Sequence, residues 1–304
     1  MIDRDDIVPA MESATVDAGL RLWWFGGPSY ALKSPRALVL VDPYHSGPRA
    51  DDPRGFVRAI PNYFSPGAVT RADVVVSTHD HTDHCDPDTL RPIYERTGAL
   101  FVAAPSSAEK MFEWGFAQQR IVTLAPGRST TVGDVTLRAY PSRDWEDEGA
   151  VTFVLSSGGA NVFIGGDTLL FDGLAEIGRA HEIDLAVLAL ARNRRDLIDT
   201  QLYADPPELA RAALALRARR VLPVHWDIWR AWVEDPYAVA PHLAGTGSEL
   251  VILPQGGSLD IHGDGAGGAD GAGGADGADG ADGAGGADGA DGADGANRRI
   301  GDAR

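Results

Sequence analysis

One cysteine is all that this chain of 304 residues carries, so Cys85 can form no disulfide within the chain, and nothing in the thiol content marks an oxidising compartment. Methionine is also scarce, with three residues, and aromatic residues make up 8%. No apolar run is long enough to cross a bilayer. The opening stretch, MIDRDDIVPAMESATVDAG, starts acidic and lacks the apolar centre of a signal peptide, so a cytoplasmic protein without membrane attachment is expected. Positive charge is the other shortage: 27 Lys and Arg stand against 44 Asp and Glu, for a net charge of −17. Such a surface repels nucleic acid at long range, and no nucleic-acid partner is expected.

What is present divides the chain in two. Residues 1–262 hold the branched and aromatic side chains of a large core, within a hydrophobic content of 44%, and read as one domain. Residues 263–304 are almost wholly Gly, Ala and Asp, a composition that cannot offset chain entropy, and read as a disordered acidic tail. The tail's nine Asp and three Arg leave −11 for the body, so the acidity belongs to both parts. Its GADGADG repeat lacks the large apolar residue that calcium-binding glycine-aspartate repeats need in each turn.

The segment with most chemical content is Ser77-Thr78-His79-Asp80-His81-Thr82-Asp83-His84, with three imidazoles and two carboxylates in its last six residues. It follows the apolar run ADVVV, so it is a loop at the end of a buried strand. Imidazole nitrogen and carboxylate oxygen are the usual ligands of zinc and its harder neighbours. The alternate spacing lets His79 and His81 face one ion, and Asp83 and His84 reach a second position. Cys85 follows a ligand candidate directly, yet its side chain should point the other way and pack as a small apolar group.

Around this loop, LRLWWF, YALKS and ALVLVDP read as a strand meander broken by Gly26-Gly27-Pro28. DPDTLRPIYERTG reads as a helix closed by Gly98, and Ser106 to Glu109 as a capping box opening the helix AEKMFEWGF. RIVTLAP, VTLRAYPS, AVTFVLSS and NVFIGGDT read as strands. The second half alternates: a helix LFDGLAEIGRAH, a strand IDLAVLALA, a helix PPELARAALALRARR and a strand VLPVHWDIW. Strands first, then strands alternating with helices, imply an α/β arrangement of sheets under helices.

The pattern His79-x-His81-x-Asp83-His84 resembles the signature of the metallo-β-lactamase superfamily. Further segments resemble the L-ascorbate-6-phosphate lactonase family in order: LRLWWFGG, STHDHTDHCD, MFEWGF, GGDT, IDLAVLALARN and VLPVHWDIW, spanning about residues 20 to 257. The run His225-Trp226-Asp227-Ile228-Trp229, close to that family's HHDIW, is the most specific of them. The resemblance implies a four-layer αβ/βα sandwich with a metal site at one edge. It also implies one or two divalent ions held by His79, His81, Asp83, His84, Asp167 and His225, with Asp167 as bridge. The superfamily's usual third His of the first site is missing, since no histidine lies between His84 and Asp167. Asp144, in PSRDWEDEG, stands where the lactonase family carries an Asp, with Glu146 and Asp147 as rivals. An oxygen ligand there hardens the site toward manganese or iron, with zinc also accepted.

The implied activity is hydrolysis of an ester-like carbonyl, a lactone above all, in a small-molecule substrate. The ion would supply hydroxide, and Asp83 would ligate the second ion or act as general base in its absence. Asp42, at a strand end, fits a role behind a metal-bound imidazole, fixing its tautomer. His45 follows it and is a candidate to line the cleft. Trp226, Trp229 and Trp232 are either packing or pocket wall. Arg192, Asn193, Arg194 and Arg195 fall where a substrate loop would lie and suit a phosphate, which makes phosphodiester hydrolysis the alternative. A scaffold that kept the fold and lost the chemistry is the reading from outside enzymology, and a homo-oligomer is left open. His181 is read as ending a helix, with its ring placed for the dipole.

Overall fold

The computed structural model describes residues 6–46 and 52–263. The tail predicted from composition, residue 264 onward, lies outside the described residues. The first sheet takes β1 (Leu20–Trp24), β2 (Tyr30–Lys33), β3 (Leu38–Val41), β4 (Val74–Ser77), β5 (Leu100–Ala103) and β6 (Ile121–Thr123). The second takes β7 (Ser129–Val132), β8 (Val135–Pro141), β9 (Val151–Ser157), β10 (Ala160–Ile164), β11 (Leu185–Ala189), β12 (Arg220–Val224) and β13 (Glu249–Leu250). β14 (Ser258–Ile261) returns to the first sheet and pairs with β1. Each sheet is an antiparallel meander that turns parallel, at β3–β4 and at β10–β11.

Alternation along the strands makes the layers. In the first sheet Trp24, Val39, Val41, Val74 and Val76 point at the second sheet, where Leu137, Phe153, Leu155, Ile164 and Val187 meet them. Their neighbours Trp23, Leu38, Leu40, Val75 and Phe101 face the other way, onto α1 (Ile7–Ser13), α2 (Pro87–Arg96) and α3 (Pro105–Glu113). On the far side, Phe163, Ala186, Leu188 and Val221 pack under α4 (Gly173–Ala180), α5 (Pro206–Ala215) and α6 (Ala240–Leu243). Helices, sheet, sheet, helices is the four-layer order expected.

Several local expectations change. α3 starts at Pro105 without a side-chain cap, because its N-cap is Ala104, while Ser106 lies inside the first turn and its hydroxyl donates to Asp147 (2.7 Å). α2 is capped at Thr97, before Gly98. α5 ends at Ala215, and β12 ends at Val224, so HWDIW is a loop and not strand. The His181 ring is not a cation on a helix dipole: burial and Arg138 lower its pKa, and it pairs with the Tyr140 hydroxyl at 2.5 Å.

The parallel strands end together. Asp42 follows β3, Thr78 and His79 follow β4, Asp167 lies shortly after β10 and His225 follows β12. Two of these residues, Asp42 (φ 42°) and His225 (φ 71°), adopt the left-handed backbone that non-glycine residues avoid. Backbone strain of this kind persists where surrounding contacts impose it. At Asp42 they are the three hydrogen bonds its carboxylate accepts. At His225 the backbone N–H donates to the Gly27 carbonyl (2.9 Å), while the nearby Asp227 accepts from the Gly27 N–H (2.8 Å) and from Gln255 (3.2 Å).

Candidate metal centre

Two donor groups meet in the seam between the sheets. Asp83, His84, Asp167 and His225 offer four buried ligand atoms within 4.8 Å of one another, and His79, His81 and Asp167 offer three, so Asp167 belongs to both. In the first group His225 Nε2 lies 3.0 Å from Asp83 Oδ2 and 3.7 Å from Asp167 Oδ2. His84 Nε2 lies 3.7 Å from Asp83 Oδ2 and 3.3 Å from Asp167 Oδ1. In the second, His79 Nε2 is 3.0 Å from His81 Nδ1 and 3.9 Å from Asp167 Oδ2. A tetrahedral ion bound at ~2.0–2.1 Å from each donor sets them about 3.4 Å apart, which is the middle of these values.

Unpartnered atoms make the same point. His84 Nε2 and Asp167 Oδ1 are buried and misaligned for a hydrogen bond with each other, so neither has a partner. Asp144 Oδ2 is likewise buried and bare, while its Oδ1 accepts from the backbone N–H groups of Glu146 (2.9 Å) and Asp147 (2.8 Å). Native proteins rarely leave such groups without a partner, and a cation satisfies them. Of the three acids considered for the missing position, Asp147 is spent: it accepts from Asp80 N, Ser106 Oγ and Gly149 N. Glu146 points outward, 59% exposed, with its carboxylate 3.6 Å from His81 Nε2. Asp144 alone keeps a buried, free oxygen.

Thr78 and Asp42 decide which imidazole nitrogen faces the centre. Asp42 Oδ1 accepts from Thr78 N (2.9 Å), and Oδ2 from Thr78 Oγ1 and His84 Nδ1, both at 2.8 Å. With its proton given to Asp42, the Thr78 hydroxyl can only accept from His79 Nδ1 at 3.0 Å. Both rings therefore hold a proton on Nδ1 and turn Nε2 inward. Asp42 thus stands behind two candidate ligands at once. Gly166 (φ +54°) keeps this close: an added Cβ would sit 2.7 Å from Thr78 Oγ1.

The electrostatics suit a cation. Burial, then the His84 charge, push the His79 imidazole well below its ordinary pKa, so it stays neutral. Burial alone would depress His84 too, but the carboxylates of Asp167, Asp42 and Asp83 outweigh it and raise it well above 6.5. Burial would raise Asp83 and Asp167, yet the imidazoles of His84 and His225 hold both carboxyls well below the usual range. Asp144 is raised by burial. A proton on His84 does in this arrangement what a metal ion would do in its place.

A cleft of about 180 Å³ opens over the centre, bordered by His81 and Asp83 from the loop and by Phe56, Trp145, Tyr203 and Trp229. Trp229 Nε1 donates to Asp83 Oδ2 (3.3 Å), and the Tyr203 ring lies 4.6 Å from that of His225. Burial, then Asp167, Asp83 and Asp144, raise the Tyr203 phenol well above 10, so it keeps its proton. Asn193 places it, accepting from the N–H groups of Leu202 and Tyr203 and donating to the Tyr203 carbonyl.

The residues expected to line the cleft are elsewhere. His45 is 2% exposed, wedged 3.9 Å from Phe64, with neither ring nitrogen hydrogen-bonded. Arg192 is exposed and lies 3.8 Å from Glu234, and Arg194 is paired with Asp196 at 2.7 Å. Asn193 is the loop staple just described. Trp226 packs on Trp24 at 5.5 Å, so of the tryptophan run only Trp229 reaches the cleft, and Trp232 stacks behind Phe56. Cys85 is buried beside the Ser107 carbonyl, its thiol pushed up to about 12 by burial. Thr78 and Tyr203 had not been singled out in the sequence. A hydroxyl next to a ligand histidine is a usable signal for the first, and none exists for the second.

A model of the beta-lactamase superfamily domain matches residues 38–226, more than half of the chain and every candidate ligand named above. The chain belongs to this family. A curated relative from Escherichia fergusonii, described as a probable L-ascorbate-6-phosphate lactonase UlaG, is 26% identical over 204 residues, 60% of this chain. Those residues cover 57% of the relative's own length. Among solved structures, Igni18, a metallo hydrolase from Ignicoccus hospitalis, superposes with a TM-score of 0.62 at 18% identity, over 80% of this chain and 98% of that one. CmlA, a diiron beta-hydroxylase from Streptomyces venezuelae, gives 0.63 at 15% identity, over 82% and 55%. These likenesses show the fold, an α/β sandwich of the metallo-β-lactamase type.

Proposed function

We propose that the chain is a metal-dependent hydrolase of ester-like carbonyls, a lactonase in the first place, acting on a small molecule. One observation carries the reading: two donor sets share Asp167, and one member of each, His81 and Asp83, borders an open cleft, with the nitrogens of His79 and His84 turned inward from behind. His79, His81, Asp144 and Asp167 would hold one divalent ion, and Asp83, His84, Asp167 and His225 a second. These mixed nitrogen and oxygen donors suit manganese, iron or zinc. Ions so held supply a water acidic enough to serve as a nucleophile near neutral pH and withdraw charge from a carbonyl oxygen.

The chain's own groups do the rest. Asp83 remains ionised and is fixed by His225 and Trp229, which fits a ligand better than a general base, since a base needs a pKa near the working pH. The Tyr203 phenol keeps its proton at the cleft surface and donates to the carbonyl oxygen as negative charge gathers there. The phosphodiester alternative leaned on Arg192, Arg194 and Arg195, which are turned away or paired elsewhere, and it loses that support.

The test is metal content per chain after reloading with manganese or zinc, together with hydrolysis of a lactone panel before and after chelation. About two equivalents and a chelator-sensitive turnover are expected. In Tyr203→Phe, kcat should fall by about 10²-fold with metal content unchanged. A chain that retains no metal, or a turnover indifferent to chelation, would overturn the reading.

A further inference from the structure

We propose that the cleft admits an uncharged ester or lactone whose non-reacting part is a hydrophobic ring, and discriminates against a phosphorylated one. This deepens the hydrolase reading and rests on it.

Size and lining come first. The space of about 180 Å³ is comparable with a dry protein cavity of ~150 Å³ that accepts benzene, so one six-membered ring with a fused ester fills it. Among polar neighbours, Phe56, Trp145, Tyr203 and Trp229 give it aromatic faces. Phe56 lies flat on Trp232 (5.3 Å, 7°) and meets Trp229 edge-on at 5.7 Å. Trp145 stands 6.0 Å from the His81 ring, on the short segment that Asp144 and Asp147 tie down through backbone N–H groups. Flat ring faces favour a flat apolar guest.

Charge points the same way. Among the described residues only two cations border the cleft, and each is engaged. Lys110 Nζ contacts both the carbonyl of Asp80 (2.5 Å) and its carboxylate (2.9 Å). The Arg54 guanidinium contacts Asp52 through Nε (3.3 Å) and Nη2 (3.2 Å), and lies 5.2 Å over the Phe56 ring. Two divalent ions would bring four positive charges, and Asp83, Asp144, Asp167 and Glu146 match them. No surplus is left for a phosphate dianion, and the outward carboxylate of Glu146 repels one as it enters.

The experiment compares kcat/KM of the metal-loaded full chain on dihydrocoumarin, glucono-δ-lactone and 6-phosphoglucono-δ-lactone. Dihydrocoumarin should lead the phosphorylated lactone by about 100-fold or more. Trp145→Ala should lower the dihydrocoumarin value about tenfold, through KM, and the glucono-δ-lactone value by less, while Trp145→Phe should recover most of the loss. Saturable quenching of tryptophan fluorescence by the uncleavable lactam 3,4-dihydro-2-quinolinone, weakened in Trp145→Ala, reads the cleft without turnover. Turnover of the phosphorylated lactone equal to or above that of dihydrocoumarin would overturn the inference and leave the hydrolase standing. Saturable lactam binding without hydrolysis of any lactone would overturn the hydrolase and leave the cleft's preference. Absence of both turnover and lactam binding would overturn both.

Discussion

Replacing Asp42 with Asn removes one charge and almost no volume, yet it should disable the centre from behind. Asp42 Oδ2 accepts from Thr78 Oγ1 and His84 Nδ1 at 2.8 Å each, while Oδ1 accepts from Thr78 N at 2.9 Å. An amide has one acceptor to offer where three donors converge. If its oxygen faces Thr78 N, its NH2 meets the His84 Nδ1 proton, and the ring is relieved only by moving that proton to Nε2, into the space a metal would occupy. If the amide flips, the buried Thr78 N–H meets the NH2 instead. Either way a donor faces a donor, at a cost of about 1–3 kcal/mol. The backbone is not the issue, because Asn accepts the φ of 42° at this position. Metal affinity, measured by competition with a chelating dye, should fall about 10–100-fold, as for other groups that orient a ligand histidine. An Asp42→Asn protein whose affinity stays within about twofold of the unaltered chain would refute the tautomer argument.

Three further outcomes are expected. Burial, followed by Arg58, lowers the His45 pKa from 6.5 to about 3, so on acidification the unfolded chain takes up the proton first. The stability linked to the neutral ring is whole above 6.5 and is lost as pH falls toward 3. Between about pH 8 and pH 5 the loss is about 2 kcal/mol. His45→Leu should flatten that part of the thermal unfolding profile, and equal slopes in both proteins would count against it. Asp144→Asn should reduce retained metal from about two equivalents toward one. Asp147→Asn disturbs the hydrogen bonds from Asp80 N, Ser106 Oγ and Gly149 N, and it should cost about 1–2 kcal/mol of stability while stoichiometry holds. Equal metal content in the two variants would return the ligand assignment to its rivals.

Legibility from sequence followed the range of the interaction. Strands that are continuous apolar runs, such as LVLV and VVVS, and the ligand loop on the end of β4 were readable because each is local. β7, with the sequence STTV and a half-exposed face, gave no such signal, and β13 has only two residues. The Ser106 capping box was a sound local pattern, but the helix starts at Pro105, and the Ser106 hydroxyl goes to a distant partner, Asp147, 41 positions on. Among PSRDWEDEG the acids look alike in sequence, and only the hydrogen bonds of the folded loop separate spent Asp147 from free Asp144. Arg192 and Arg194 were assigned by position in a loop, yet nothing in their spacing told which way that loop would turn.

The donors of the centre run from residue 79 to residue 225, and His225 meets Asp83 across 142 positions. A nascent chain therefore has only the HDHTDH stretch, and the rest of the coordination arrives after both sheets have closed. The three large clusters that close them consist of buried apolar side chains. An ion held by donors from both sheets would therefore meet a finished site, and any choice among ions would fall to that site and to the pools it samples. Order of synthesis has no say in that choice.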